Sequence, residues 1–175
     1  GGFSGDGGQA TAAQLNSPFQ IYIDSVGNKF ITDCGNSRIR KIDVNGIITT
    51  VAGSGPGSGG FSGDNGPATA AQLKLPRGVA IDRNGNMYIA DALNHRIRKV
   101  DPAGIITTIA GTGVSGYNGD GIAATTAQLN GPYSIITDEN ATVYIADGDN
   151  DRIRIITGGT ISTIAGNGTS FYNGD

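Results

Sequence analysis

The sequence repeats itself, and this repeat constrains the fold more than any other feature of the chain. Related tripeptides ending in Gly-Asp occupy residues 4–6, 62–64, 118–120 and 173–175, at spacings of 58, 56 and 55 residues. An Ala-Thr-x-Ala-Gln-Leu phrase follows each of the first three, and a proline stands three residues after it. Self-similarity of this kind indicates one supersecondary unit used several times. We therefore expect three full units and the start of a fourth.

Each unit contains four short β-rich runs separated by turn residues. In the second unit the runs are 78–82, 87–91, 96–101 and 105–110, with turn chemistry at Asn84-Gly85 and Asp101-Pro102. This spacing predicts a four-stranded antiparallel meander in every unit. We place the meanders at about 18–53, 76–111 and 132–166, and the connections at 1–17, 54–75, 112–131 and 167–175.

In the third run of the second unit, neither face is purely apolar. Ile97 and Lys99 share one face, while Arg96, Arg98 and Val100 share the other. Both faces of such a sheet are expected to be partly buried, as they are when a twisted sheet packs between two similar sheets. The sequence thus favours all-β propeller blades over a β-solenoid, whose repeat is shorter, about 20–30 residues.

The residues also resemble a known family. The segments 73–82, 85–91 and 94–100 are similar to the long variety of NHL repeat, and Asn94-His95-Arg96-Ile97 resembles its naming signature. Asn36-Ser37-Arg38-Ile39 and Asn150-Asp151-Arg152-Ile153 differ from it at the histidine. The resemblance implies three four-stranded blades belonging to a six-bladed ring or a longer blade assembly. Relatives include ligand-binding and protein-binding ectodomains, RNA-binding domains and a peptide-amidating lyase, so family alone does not choose a function.

A recurring set of polar residues follows the second run of each unit. We predict that these residues close turns through side-chain to backbone hydrogen bonds, with the arginine pairing nearby. A ring of carboxylates for a metal ion is the alternative. The predicted structural turn positions are Asp33, Asn36, Arg38, Asp91, Asn94, Arg96, Asp147, Asn150 and Arg152.

The aspartates of the Gly-Asp phrase are a second set that could bind a cation. Each stands almost alone, whereas calcium takes six to eight oxygen ligands. We expect the neighbouring aromatic residues to anchor the connection on the sheet beneath. The aspartates are Asp6, Asp64, Asp120 and Asp175, and the aromatics are Phe3, Phe61, Tyr117 and Tyr172.

The sequence provides no residues for a catalytic centre. His95 is the only histidine and Cys34 the only cysteine, and no nucleophile elbow or P-loop occurs. We therefore assign no catalytic, cofactor-binding or metal residues, expect no cofactor, and interpret the chain as a non-catalytic structural or interaction scaffold. The alternative is a partial six-bladed enzyme of the metal-dependent lyase or lactonase type, whose site residues lie outside this chain.

Charge makes nucleic acid and membranes poor partners. Lysine and arginine number 12 against 15 aspartates and glutamates, and no apolar run reaches the length of a membrane span. Eight basic residues do fall in the third runs, which leaves an RNA-binding NHL domain as a second alternative. They are Arg38, Arg40, Lys41, Arg96, Arg98, Lys99, Arg152 and Arg154.

Two Asn-x-Thr triplets predict glycosylation at Asn140 and Asn167 if the protein is secreted, and we expect an extracellular location. The first triplet puts Ala141 where the other units have Gly27 and Gly85. Since positive φ is costly for alanine, we expect this hairpin to be the least regular of the three.

The two end blades lack obvious partners of their own. We expect no strand outside the three meanders, and therefore two open apolar sheet faces. The expected partners are further NHL blades, in the same longer chain or in other copies, closing a ring or extending a filament. Other protein or glycan partners could bind the loops.

Overall fold

The computed structural model describes residues 2–55 and 60–170 and shows three antiparallel sheets. The first contains β1 (Pro18–Ile23), β2 (Lys29–Asp33), β3 (Arg38–Ile42) and β4 (Ile48–Ala52). The second contains β5 (Gly66–Pro67), β6 (Pro76–Ile81), β7 (Met87–Asp91), β8 (Arg96–Val100) and β9 (Ile105–Ala110). The third contains β10 (Ile122–Ala123), β11 (Pro132–Thr137), β12 (Val143–Asp147), β13 (Arg152–Thr157) and β14 (Thr160–Ala165). The all-β fold class is confirmed.

The connections contribute to the sheets as well. β5 pairs with β9, and β10 pairs with β14, so each is a short fifth strand on the sheet that follows it in sequence. In the first sheet an isolated bridge between Gln9 and Ile47 takes the same place. The expectation of no strand outside the meanders is therefore wrong. The connection runs along the open edge of the last strand because its backbone satisfies N–H and C=O groups that would otherwise be unpaired.

Helical structure in the described residues is limited to six three-residue 3-10 turns. Three precede the first strand of a meander, at Ala10–Ala12, Ala68–Ala70 and Ala124–Thr126. Three follow the second strand, at Cys34–Asn36, Ala92–Asn94 and Gly148–Asn150. No helix in this part of the chain is long and apolar enough to cross a membrane.

An aspartate closes the first hairpin of each meander. Asp82 Oδ1 accepts hydrogen bonds from the backbone N–H groups of Asn84 and Asn86, each at 2.9 Å. Asp138 makes the same two bonds in the third sheet, and Ala141 there has a φ of 61°. The expectation of an irregular hairpin is wrong, because these bonds hold the turn in the same form and impose positive φ on alanine.

The second sheet packs between the other two through apolar side chains. Phe30 and Ile39 of the first sheet share a buried cluster with Val79 and Ile89 of the second. On its other side, the second sheet contributes Tyr88 and Ile97 to a buried cluster with Ile135 and Ile145 of the third. The three sheets are thus stacked face to face, which is how propeller blades pack.

Candidate functional site

The main polar cluster of each repeat is built around one buried arginine. In the second repeat this is Arg98 on β8, which is 0% exposed. Its Nη2 lies 2.7 Å from Asp64 Oδ1, and its Nη1 lies 3.4 Å from Asp91 Oδ2. Its guanidinium carbon is 4.6 Å from the ring centroid of Phe61. One cation therefore ties the connection, through Asp64 and Phe61, to the middle of the sheet.

The same cluster occurs in the other two repeats. In the first, Arg40 pairs with Asp6 at 2.8 Å and with Asp33 at 3.5 Å, beside Phe3. In the third, Arg154 pairs with Asp120 at 3.1 Å and with Asp147 at 3.4 Å, beside Tyr117. The aromatic residues anchor the connections, as the sequence predicts, by lying against arginine. Tyr172 and Asp175 lie outside the described residues.

The aspartate at the end of the second strand also organises the turn that follows. Asp91 Oδ1 accepts the backbone N–H of Lys74 at 2.7 Å, and Oδ2 accepts Asn94 Nδ2 at 2.8 Å. Burial raises the pKa of Asp91 to about 6, because desolvation outweighs these bonds and the charge of Arg98. Burial likewise raises the pKa of Asp147. Equivalent bonds join Asp33 to Asn16 and Asn36, and Asp147 to Asn130 and Asn150.

The arginine that begins the third strand bonds to backbone carbonyl oxygens. Arg96 donates to the carbonyl oxygens of Asn94 at 3.0 Å and Thr112 at 2.6 Å, and stacks 3.8 Å from Phe61. The ion pair with Asp91 is made by Arg98. Arg96 and Arg98 lie on the same face of β8, but Arg98 is fully buried whereas Arg96 is only partly buried. Arg38 and Arg152 bind carbonyl oxygens in the same way as Arg96.

These clusters leave little scope for a cation at the predicted aspartates. Asp6, Asp64 and Asp120 each face a fully buried arginine, which already supplies the positive charge. Across residues 2–55 and 60–170, no group of three or more histidine, cysteine, aspartate or glutamate side chains is placed to hold a metal ion. The arrangement bonds each repeat to itself.

His95 and Cys34 both contact the repeat that follows them. The backbone N–H of Gly131 donates to His95 Nδ1 at 3.2 Å, and burial lowers the pKa of this histidine. Cys34 is buried, its Sγ lies 2.8 Å from the carbonyl oxygen of Pro76, and burial raises its pKa. An enclosed thiol with a raised pKa is a poor nucleophile. Through these contacts, Cys34 and His95 contribute to packing between neighbouring sheets.

A cavity of about 420 Å³ lies among the first hairpins of the three sheets. Its walls include the turn aspartates Asp24, Asp82 and Asp138. Each carboxylate already accepts two backbone N–H groups of its own turn. The cavity is thus formed by the three turns, and the side chains of Ser25, Arg83 and Glu139 also line it.

The two outer faces of the stack are apolar and exposed. On the first sheet Phe19 is 62% exposed and Ile21 57% exposed. On the third sheet Ile136 is 60% exposed and Ile153 39% exposed. Large apolar side chains grouped on one surface usually mark an interaction site. Both faces therefore expose large apolar side chains to solvent.

The two predicted glycosylation sites are both exposed. Asn140 lies at the tip of the first hairpin of the third sheet. Asn167 follows β14, and its Oδ1 accepts the backbone N–H of Thr169 at 2.9 Å and the Thr169 hydroxyl at 2.6 Å. A glycan on either Nδ2 would extend into solvent.

Comparisons with known proteins agree with this geometry. A family profile described as "Teneurin NHL domain" matches residues 2–59 and 54–118. NHL repeat-containing protein 2 of Gallus gallus is 34% identical over 139 residues, which are 74% of this chain and 18% of the relative. Teneurin-1 of Gallus gallus is 31% identical over 177 residues, 93% of this chain and 6% of the relative.

Solved structures with the same fold are longer than this chain. Virginiamycin B lyase from Staphylococcus aureus is 20% identical with a TM-score of 0.56, over 86% of this chain and 41% of the lyase. A chain of a nidogen/laminin complex is 18% identical with a TM-score of 0.62, over 90% of this chain and 53% of the other. Such likeness shows the fold alone. The repeat residues and the family match together show that the chain belongs to the NHL-repeat family of β-propeller proteins.

Proposed function

We propose that this chain is a non-catalytic scaffold of NHL blades, which joins further blades through its two end faces and presents its loops to protein or glycan partners. The observation that carries the proposal is the contrast between the charged and the apolar residues. The repeated charges of Arg40, Arg98 and Arg154 are used inside the repeats, whereas the end faces remain open. A chain with paired internal charges and open apolar end faces functions by binding further blades.

The internal junctions support the view that the end faces bind blades. Val79, which faces the first sheet, is 0% exposed, and its equivalent Ile21 on the first sheet is 57% exposed. Ile97 faces the third sheet and is 0% exposed, and its equivalent Ile153 is 39% exposed. Both members of each pair are β-branched and apolar, so their exposure differs because only one of them has a neighbouring blade. Covering one such side chain contributes about 1.5–3 kcal/mol.

An added blade tests the proposal directly. A second copy of residues 112–166 is joined after residue 166, so that it follows the third blade as the third follows the second. We expect one cooperative urea transition and an increase of about 3 kcal/mol or more in the free energy of unfolding. Ile136→Arg in the original third repeat should cancel the gain, while Val44→Arg, at an exposed turn, should not. A separate transition for the added repeat would contradict the proposal.

The enzymatic alternative is favoured by the likeness to the lyase fold. It requires ligands from blades outside this chain, because His95 and the repeat aspartates are already bonded within the fold. Elemental analysis after incubation with zinc, iron and calcium salts distinguishes the two. We expect no stoichiometric metal and no lactonase or lyase turnover. A retained ion with several protein ligands would favour the enzyme.

RNA binding is less well supported than blade association. Three of the eight basic residues in the third strands, Arg40, Arg98 and Arg154, are fully buried and paired with carboxylates. The other five belong to a chain with a net charge of −3, which opposes binding to a polyanion. An electrophoretic shift assay with single-stranded RNA should therefore show no binding at about 150 mM salt.

An extracellular location is part of the proposal and is supported by the exposed triplets. Expression in a glycosylating cell line, followed by enzymatic removal of N-glycans, should reduce the mass in two steps. Asn140→Gln and Asn167→Gln should each remove one step. An unmodified secreted product would remove this support.

A further inference from the structure

One histidine side chain crosses the internal junction between the second and third sheets. His95 ends the 3-10 turn Ala92–Asn94 with a φ of 51°, and its Nδ1 accepts the backbone N–H of Gly131 at 3.2 Å. Gly131 stands directly before β11, the first full strand of the third sheet. In the part of the chain that the structure describes, no hydrogen bond joins the equivalent residues of the first junction, Ser37 and Leu75. The second junction therefore has a titratable contact that the first one lacks.

Two successive backbone N–H groups at the start of the third sheet are held by titratable acceptors. Asp147 Oδ1 accepts the N–H of Asn130 at 2.7 Å, and His95 Nδ1 accepts the next one, from Gly131. The first acceptor belongs to the third sheet itself, whereas the second belongs to the preceding repeat. An imidazole nitrogen accepts a hydrogen bond only while it carries no proton. Protonation of His95 therefore removes the acceptor between the sheets and sets a ring N–H against the N–H of Gly131.

Charged groups from both repeats act on the imidazole. Burial has the largest effect and lowers the pKa of His95, because it disfavours the charged ring. The carboxylates of Asp149 and Asp147 oppose this effect, and Asp149 is the stronger of the two. Arg96 and Lys74 add to the lowering by repelling the charged ring. The neutral ring is therefore favoured at neutral pH, and Asp149 is the carboxylate that attracts the protonated ring most.

We propose that His95 is a pH-sensitive switch between the second and third sheets, which holds Gly131 when neutral and moves to Asp149 when protonated. This device goes beyond the proposed function, because it lies inside the stack and needs no partner. Asp149 is exposed, and its Oδ1 accepts the hydroxyl of Tyr133. The charged imidazole donates from both nitrogens and competes with Tyr133 for this carboxylate.

The change reaches the surface through Tyr133. Gly131 has a φ of 52° and packs so closely that an added Cβ would collide with Asp149 and lie 3.2 Å from Tyr133 Cε1. The guanidinium carbon of Arg77, on the second sheet, is 4.5 Å from the centroid of the Tyr133 ring. Release of Gly131 and movement of His95 to Asp149 therefore free the Tyr133 hydroxyl. Acid changes the surface that Asp149, Tyr133 and Arg77 present.

An NMR titration of the imidazole and of the Gly131 amide tests the proposal, since His95 is the only histidine of the chain. At about pH 8 we expect the tautomer with the proton on Nε2 and none on Nδ1. The Gly131 amide shift should titrate with the same midpoint as the ring, below the ordinary value of 6.5. Its hydrogen-exchange protection, corrected for the intrinsic rate, should fall about tenfold across that midpoint. Overall stability is a poorer measure, because the raised pKa values of Asp91 and Asp147 act in the opposite direction.

Three variants separate the parts of the switch. His95→Ser introduces the residue that Ser37 provides at the same φ of 51°, so it should keep the fold and abolish the titration of Gly131. Asp149→Asn removes the main attraction for the charged ring and should lower the His95 midpoint further. Glu139→Gln is the matched control, since it removes one negative charge about 25 Å away, beyond the far end of β11. It should leave the midpoint unchanged.

The remaining outcomes contradict the switch. A proton on Nδ1 at about pH 8, or a Gly131 amide that does not titrate with the ring, shows that His95 does not hold this junction. A Gly131 titration that persists in His95→Ser assigns the pH dependence to Asp147. If Asp149→Asn and Glu139→Gln have the same midpoint, the partner of the protonated ring is not Asp149.

Discussion

Replacing Arg98 tests whether the buried ion pair holds each repeat together. Arg98→Met keeps most of the side-chain volume but leaves the buried Asp91 carboxylate without its cation. Breaking a buried pair from one side costs about 3–5 kcal/mol, because a charge stays uncompensated. The second partner, Asp64, is 29% exposed, so losing that contact adds at most about 1 kcal/mol. We expect an overall loss of about 3–5 kcal/mol in the free energy of unfolding.

Arg96→Met is the matched control two residues away on the same strand. Arg96 binds carbonyl oxygens and stacks on Phe61 at the partly exposed edge of the cluster. Its removal should cost only about 1 kcal/mol. Arg98→Lys keeps the charge but has only one donor nitrogen, so its loss of unfolding free energy should lie between those of Arg98→Met and Arg96→Met.

Urea unfolding at fixed protein concentration gives the measurement. The variants are compared in an Ile21→Arg, Ile136→Arg background, so that association does not contribute to stability. A loss below about 1 kcal/mol for Arg98→Met, or equal losses for Arg98→Met and Arg96→Met, would show that the pair does not stabilise the repeat. Covalent labelling of the connection should also increase in Arg98→Met, because Asp64 and Phe61 are released.

Three further predictions concern single residues. The folded pKa of Asp91, about 6, lies above its ordinary value of 3.8, so the folded state binds this proton more tightly. The cost of keeping Asp91 charged in the folded state is present above about pH 6 and is relieved as the pH falls towards 4. The free energy of unfolding should therefore increase by about 1 kcal/mol from about pH 7 to pH 5. Asp91→Asn should not show this increase. Ala141→Gly should raise the unfolding free energy by about 0.5 kcal/mol in the same assay, since positive φ costs glycine nothing; a decrease would mean that alanine is unstrained. Cys34 should react with a thiol reagent only when urea opens the fold, and rapid labelling at about pH 8 without urea would contradict its burial.

The sequence by itself determined the number of repeats, the four strands of each meander and the positions of the main turns. These features depend on local chemistry. Asp82 bonds to residues two and four positions away, and glycine or proline sets the backbone at each reversal. The NHL resemblance also depended on contiguous residues, such as the Asn94 to Ile97 signature. Local signals of this kind are readable without knowing what packs above or below the sheet.

Only the tertiary structure decided which charges are paired and which faces are open. Arg98 and Asp64 are 34 residues apart, and nothing in their immediate sequence distinguishes Arg98 from Arg96 as the buried cation. Recurrence does not distinguish them either, because Arg98 recurs as Arg40 and Arg154 and Arg96 recurs as Arg38 and Arg152. Ala141 could not be judged from its own preference, since the bonds of Asp138 override it. Ile21 and Val79 have the same place in the repeat, and they differ in exposure because burial is a property of the neighbouring blade, which the repeat does not encode.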